Sequence, residues 1–514
     1  MLLNKLMRLL PICLAGALFW AIMSPTQILA KGDTLTVAYP ADPKTLDPHM
    51  TQDSTSNNTM RQIYESLVTL NEKGNLVPVL AEKWEPLEGN RGYTFHLKKG
   101  VKFHNGEELK ASDVFFTFTR ATSPLAGSVH AFSSFIDAAN MKIIDDYTIV
   151  IPTKQPMGTC FLESMNHPWS SILNQKAVES ADRTYGQSPV GTGRYKFVSW
   201  NKGDRVVMER FEDYHGTKAK IKNLIIRAVV EGTSRTIELE SGAVDVANEI
   251  PYIDVPRIES NPDLTMVLRP GQVVVILSPD VTKAPYDKLE VRQAMNIAID
   301  RKGIAKAIFR GYGDVSTGPV SAQIKYNKHD KTPVPKVDIA KAKELLAKAG
   351  YPNGFKGQLI APDRPEYLAP MTVIQENLRA IGMDMELRVF EWGTYLDAIR
   401  QPGHAPFVWY HWGGGPALDP FFFLTPAFHS VSIGQTNRSF LNDPHMDKLL
   451  DKGAALNDGP ERQAVYEELW DYINATLPWI SVAEPNRTFA TTAKLRGVNF
   501  TPSAITYYGS AYFE

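Results

Sequence analysis

Two cysteines in 514 residues, Cys13 and Cys160, leave almost no room for disulfide chemistry. Cys13 falls in a leader expected to be removed, so Cys160 stands alone and no internal disulfide is expected. A large exported chain with a sufficient core needs no such staple. An excess of one charge is also missing, with 55 Lys+Arg against 56 Asp+Glu. That balance excludes a nucleic-acid footprint and a polybasic membrane patch. Enzyme signatures are missing too: there is no His-Glu-x-x-His, Cys-x-x-Cys, phosphate loop, Gly-x-Ser-x-Gly or dinucleotide fingerprint. Ser199-Trp-Asn-Lys202 fits Ser-x-x-Lys but lacks the partner motifs, and reads as a surface turn. The 11 histidines show no ligand spacing. No catalysis, metal or cofactor is therefore expected.

Long apolar runs occur once. Lys5 and Arg8 precede the run Leu9–Met23, which Ser24-Pro-Thr26 breaks, and Ala30 offers a small residue for cleavage before Lys31. This is the layout of a secretory signal peptide, and about 15 apolar residues fall short of the roughly 20 that span a bilayer. Leu10-Pro-Ile-Cys13 resembles a lipoprotein box, but the apolar run continues past it, so a lipid on Cys13 is not expected. Removal of residues 1–30 leaves a chain too long for one compact core.

What remains interleaves strands and helices. Leu35–Tyr39 alternates as a strand, and Ser54–Leu70 reads as a helix with Ile63, Leu67 and Leu70 on one face. Tyr93–Leu97 and Val101–Phe103, joined through Gly100, predict a hairpin. Ser112 is placed to cap a helix over 113–121. The apolar run Gln272–Leu277 has the pattern of a strand buried on both faces, and a helix over 291–300 follows. Asp338 caps a helix ending near Ala349, before Gly350 and Pro352. Met383, Met385, Leu387 and Val389 alternate with charged residues as a half-buried strand. The order predicts α/β lobes joined by short hinge strands.

Taken together, several segments resemble one family, the large extracellular solute-binding proteins for peptides, nickel and opines that serve ABC importers. The matching pieces include Thr45-Leu-Asp-Pro48, Tyr64-Glu-Ser-Leu67, Leu80-Ala-Glu-Lys-Trp84, Tyr93–His104, Ala111-Ser-Asp-Val114, Pro189-Val-Gly-Thr-Gly193, Glu290–Ala294, Lys343–Pro352 and Pro478-Trp-Ile480. The dipeptide- and glutathione-binding members look most similar. The resemblance implies a two-lobed α/β clamshell with an extra subdomain inserted in the first lobe. It implies lobe I from 31–70, 190–276 and 486–514, the insert from 71–189, and lobe II from 277–485. It further implies a periplasmic or extracellular monomer that hands a solute to membrane permease subunits.

The richest candidate segment is Pro406–Phe423, an aromatic strand running into three glycines. Aromatics supply rigid contact area, and glycines let backbone amides approach a ligand. In the resembled family this stretch lines the ligand chamber, which makes Trp409, His411, Trp412, Gly413 and Gly415 candidates. Strand alternation lets at most two of residues 409–412 face a cleft. Gly415 stands where the dipeptide binders carry an acid for the ligand's amine, and nearby Asp419 is a candidate substitute. Arg364, in Asp363-Arg-Pro365, matches the arginine that takes the ligand carboxylate, a task suited to its planar fork. Trp392 matches another chamber tryptophan, and Tyr39 at the end of the first strand completes the set. The expected ligand is a small peptide or peptide-like anion such as glutathione. An opine, a sugar phosphate or chelated nickel are alternatives within the class, and a chaperone-like or signalling receptor is one outside it.

Overall fold

A computed structural model describes residues 32–71, 73–124, 133, 135–412, 417–501 and 505–514. The leader lies outside them. No helix among the described residues is long and apolar enough to cross a membrane.

A twelve-stranded mixed sheet organises the chain. Its centre is the 13-residue strand Ile480–Thr492, which belongs to both halves of the sheet. Residues 480–483 pair with Val274–Ser278, whereas 486–492 pair with Leu264–Pro270. The chain thus changes partner between residues 270 and 274. On one side, Thr34–Tyr39 runs parallel to both Asn223–Ala228 and Val246–Asn248. On the other, Phe355–Pro362 runs parallel to Met383–Phe390 and bridges in parallel to Phe407–Trp412. Each half has its own core, around Leu35, Val37 and Tyr195 in one and Leu277, Met295 and Met383 in the other.

A separate four-stranded antiparallel sheet is built from Ala81–Pro86, Gly92–Leu97, Thr148–Pro152 and Lys142–Asp145. Its core, with Phe95 and Phe161, is continuous with Phe423, Trp470 and Trp479 from the later half of the chain. Backbone contacts join the two regions: Gly158 N donates to Ala454 O (2.9 Å), and Asp458 N donates to Thr159 Oγ1 (3.0 Å). A side chain at 158 would bring its Cβ within 2.1 Å of the Leu456 carbonyl, so only glycine allows this approach.

Most expected elements form, with three corrections. The first helix spans Ser54–Ile63 only, and Tyr64 leaves it in extended conformation. Leu67 is core and Leu70 lies in a short strand, Val68–Leu70, paired with Leu76–Pro78. Tyr93–Leu97 does not pair with Val101–Phe103; its partners are 81–86 and 148–152. The next helix begins at Ala111 rather than after Ser112, because Asp113 turns back to accept Lys110 N at 3.0 Å. The Asp338 cap forms as expected, accepting Lys341 N at 2.8 Å.

Candidate functional site

In open α/β sheets the carboxyl ends of parallel strands are where ligands bind, since chain leaves the sheet there and strand order switches. Both halves of this sheet present such an edge. On the second half, Arg364 follows the strand ending at Pro362, and Trp392 follows the strand ending at Phe390. The strand Phe407–Trp412, parallel to Phe355–Pro362, ends at the same edge.

Arg364 is extended because a proline follows it, and Pro365 opens the helix Pro365–Arg379. Its side chain makes no ion pair with Asp363; the guanidinium lies over the Trp392 ring at 3.9 Å. Trp392 opens its own helix, capped by the Glu391 carboxylate accepting Gly393 N at 2.7 Å. The Trp392 ring stacks on Trp409 (centroids 6.1 Å apart, 27° between planes). Tyr395 packs behind, its hydroxyl donating to Val408 O at 2.7 Å. A second guanidinium, Arg438, lies over Trp409 at 4.2 Å. The result is two stacked indoles, each carrying an arginine on a ring face, where the electron-rich π surface attracts a cation.

Arg438 was not anticipated from sequence. Its Nε is buried with no hydrogen-bond partner, and it has no acid partner among the described residues. Burial, reinforced by the charge of Arg400, pulls this guanidinium down to about 10. An unpaired buried cation is costly, and such positions cluster at functional sites.

On the first half, the edge is formed by the ends of 34–39, 223–228 and 246–248. Tyr39 is buried and its hydroxyl meets that of Tyr508 at 3.0 Å. Burial pushes the Tyr39 phenol up, so it stays neutral. Arg235 clamps two strand ends together, donating to the carbonyls of Val229, Val230, Asn248 and Glu249 at 2.7–2.8 Å. Under that clamp Glu249 adopts φ 53°, an uncommon left-handed conformation for a residue other than glycine. Arg487, on the central strand beside this edge, is a second residue that sequence reasoning missed. Its Nη1 is buried without a hydrogen-bond partner among the described residues.

The remaining candidates divide. His411 and Trp412 lie in the strand Phe407–Trp412, and Trp412 pairs with Val274; their side chains are outside the description. Gly413 and Gly415 lie outside the described residues. Asp419 is corrected: it is fully buried and grips Arg462 through two hydrogen bonds of 2.6 and 2.9 Å. Its oxygens also accept Phe421 N at 2.9 Å, so it is a structural ion pair and not an anchor for a ligand amine. A cavity of about 350 Å³ elsewhere in the first half is lined by Arg61, Glu65, Arg194 and His215. Its single acid is already engaged, Glu65 accepting from Tyr214, Thr192 and His215. Among the described residues no group of three His, Cys, Asp or Glu side chains could hold a metal ion.

The profile of the bacterial extracellular solute-binding proteins, family 5, matches residues 75–435. The chain belongs to that family. It is 29% identical over 486 residues to the glutathione-binding protein GsiB of Pectobacterium atrosepticum, covering 93% of this chain and 92% of that protein. It is 30% identical over 470 residues to heme-binding protein A of Haemophilus influenzae, covering 86% and 85%. Among solved structures, the periplasmic binding protein DppA of Helicobacter pylori in complex with the peptide STSA superposes with a TM-score of 0.80. That match has 28% identity and covers 94% of this chain and 98% of that one. The two-lobed fold and the role of solute-binding component of an ABC importer follow from this membership.

Proposed function

We propose that this family 5 binding protein captures a small peptide-like anion, of the glutathione type, and delivers it to a permease. The observation that carries this reading is the pair Arg364 and Arg438, two guanidiniums without acid partners among the described residues, seated on stacked tryptophans at the carboxyl edge of parallel strands. Arginine forks of this kind match a carboxylate geometrically. Of the three named relatives, one is named for glutathione and one holds a peptide, which supports the choice; the third is named for heme. The task is capture rather than covalent chemistry.

The lobes are taken to hinge at 271–273 and near Pro485, a few residues from the sequence-drawn boundaries at 277 and 486. The segment 71–189 is taken to ride with the first lobe. Opening would then separate Gly158 and Thr159 from Ala454 and Asp458. Residues 1–30 are taken as a cleaved export leader, and the mature protein as a monomer outside the cytoplasm.

Native mass spectrometry of protein purified from its own host tests the ligand. A co-purified small acid is the expected result, whereas a neutral or cationic molecule would overturn it. N-terminal sequencing should begin near Lys31, and finding Met1 retained would remove the export claim.

A further inference from the structure

Arg364 and Arg438 stand on one half of the sheet, and Arg487 stands on the other. Arg487 lies within the long central strand, opposite Arg269 in the ladder rather than opposite an acid. Its Cγ is 3.6 Å from where a Cβ on Gly271 would sit, so it adjoins the crossing between the halves. Its guanidinium lies over Phe489 at 4.6 Å. Nη1 is buried and makes no hydrogen bond, and no ion pair involves this residue among the described residues. Burial works against its charge, and Glu249, near enough to favour that charge, makes no ion pair with it. Arg235 and Arg292, by contrast, spend their buried donors on backbone carbonyls. Arg61 and Arg227 each leave a buried Nε unsatisfied but anchor their forks on Ser66 and Asn166 or on Glu238, whereas Arg487 has no such anchor among the described residues.

We propose that Arg487 is a ligand-binding residue, and that the solute carries two separate acidic groups. One is taken by Arg487 at the first lobe's edge and the other by Arg364 and Arg438 on the second lobe. Each lobe alone meets half of the solute, so tight binding needs both acids and a closed cleft. Monoacidic peptides are rejected because one arginine fork remains desolvated and unpaired. The inference rests on the reading of the cleft as an anion site.

Calorimetry with four probes tests it: reduced glutathione, its glycine-end amide, its γ-glutamyl α-carboxamide, and the dipeptide Met-Leu. Glutathione should bind at least ~30-fold more tightly than either amide, the scale expected when a buried charge loses its partner. Arg487→Gln should weaken glutathione by a similar factor. It should also weaken one of the two amides, the one that keeps the acid Arg487 holds, while leaving the other within about threefold. Its ligand-free melting temperature should be unchanged or higher, since the variant discards a desolvated charge that nothing in the fold pairs; a structural arginine would melt earlier. Equal affinity for diacid and monoamides, equal losses on all three, or an earlier melt with unchanged affinity would overturn the two-acid proposal. Tight Met-Leu binding that depends on Arg364 but not on Arg487 would overturn it and leave the cleft intact. If none of the four probes binds, the reading of the cleft itself is overturned.

Discussion

Arg462 and Arg438 are both withdrawn from water, yet the fold treats them in opposite ways. Arg462 is fully buried and meets Asp419 through a two-point fork; its Nε donates to Gly453 O at 2.8 Å and Asp458 adds a second acid at 2.9 Å. Arg438 has a tryptophan face, a buried Nε without a hydrogen-bond partner, and no acid partner among the described residues. The first arrangement closes a packing problem within the later helices; the second keeps a charge available at an edge where chain leaves the sheet. Completeness of pairing, rather than depth of burial, separates Arg462 from the arginine proposed to meet the solute.

The largest effect should come from breaking the complete site. Arg462→Ala strands Asp419 as a buried, unpaired carboxylate and should cost about 3–5 kcal/mol in urea unfolding. Solute affinity should change little in whatever fraction remains folded. A loss below about 1 kcal/mol would show that burial in the pair is not what matters.

Arg364→Ala and Arg438→Gln should give the reverse pattern. Free-protein stability should move by less than about 1 kcal/mol, because exposed or unpaired groups contribute little to the fold. Affinity should fall by about 2–5 kcal/mol for each, or roughly 30- to 3000-fold. Variants that melt earlier but bind normally would erase the contrast with Arg462.

A third acid sharpens the comparison through pH. Glu163 is fully buried in an ion pair with Lys325, which also meets Asp458 at 2.9 Å. Burial first, and the charge of Asp419 second, hold the Glu163 carboxyl up to about 7, against an ordinary value of 4.5. The folded chain therefore keeps a proton that the unfolded chain releases. The associated stability is fully present below about pH 4.5 and is lost as pH rises through about 7. Glu163→Gln should become more stable relative to the parent between about pH 5 and 8, read as the difference in unfolding free energy. A difference that stays flat, or falls, would mean that Lys325 already neutralises the burial cost. At the other extreme, Lys341→Ala removes an exposed pair with Glu344 and should shift stability by no more than ~0.5 kcal/mol.

How far these distinctions can be read from sequence depends on the distance over which each is decided. The alternation of Met383–Phe390 and the cap at Asp338 are local, and both form as read. The 54–70 stretch reads as a helix by spacing, yet Leu70 enters a short ladder with Leu76 and its N–H donates to Asn166 Oδ1 at 3.1 Å, while Leu67 joins a core built largely from later segments. Arg364, Trp392 and Trp409 could be named because each sits in a recognisable local context, and the structure stacks them together. Arg438 and Arg487 carry no such signal. Asn437-Arg-Ser439 is an ordinary polar loop, and Pro485-Asn-Arg-Thr488 has the composition of a turn although it lies inside a 13-residue strand. Asp419 was misassigned because its partner, Arg462, is 43 residues away and only the tertiary fold brings them together.

The central claim is that Arg364 and Arg438, which have no acid partner among the described residues, belong to the solute. A crystal structure of the protein with its co-purified ligand tests this most directly. The account predicts acidic oxygens of the solute within about 2.7–2.9 Å of guanidinium nitrogens of Arg364 or Arg438, the spacing of a charge-assisted hydrogen bond. A solute lodged elsewhere, or one whose acids turn to solvent while both arginines stay unpaired, would contradict it.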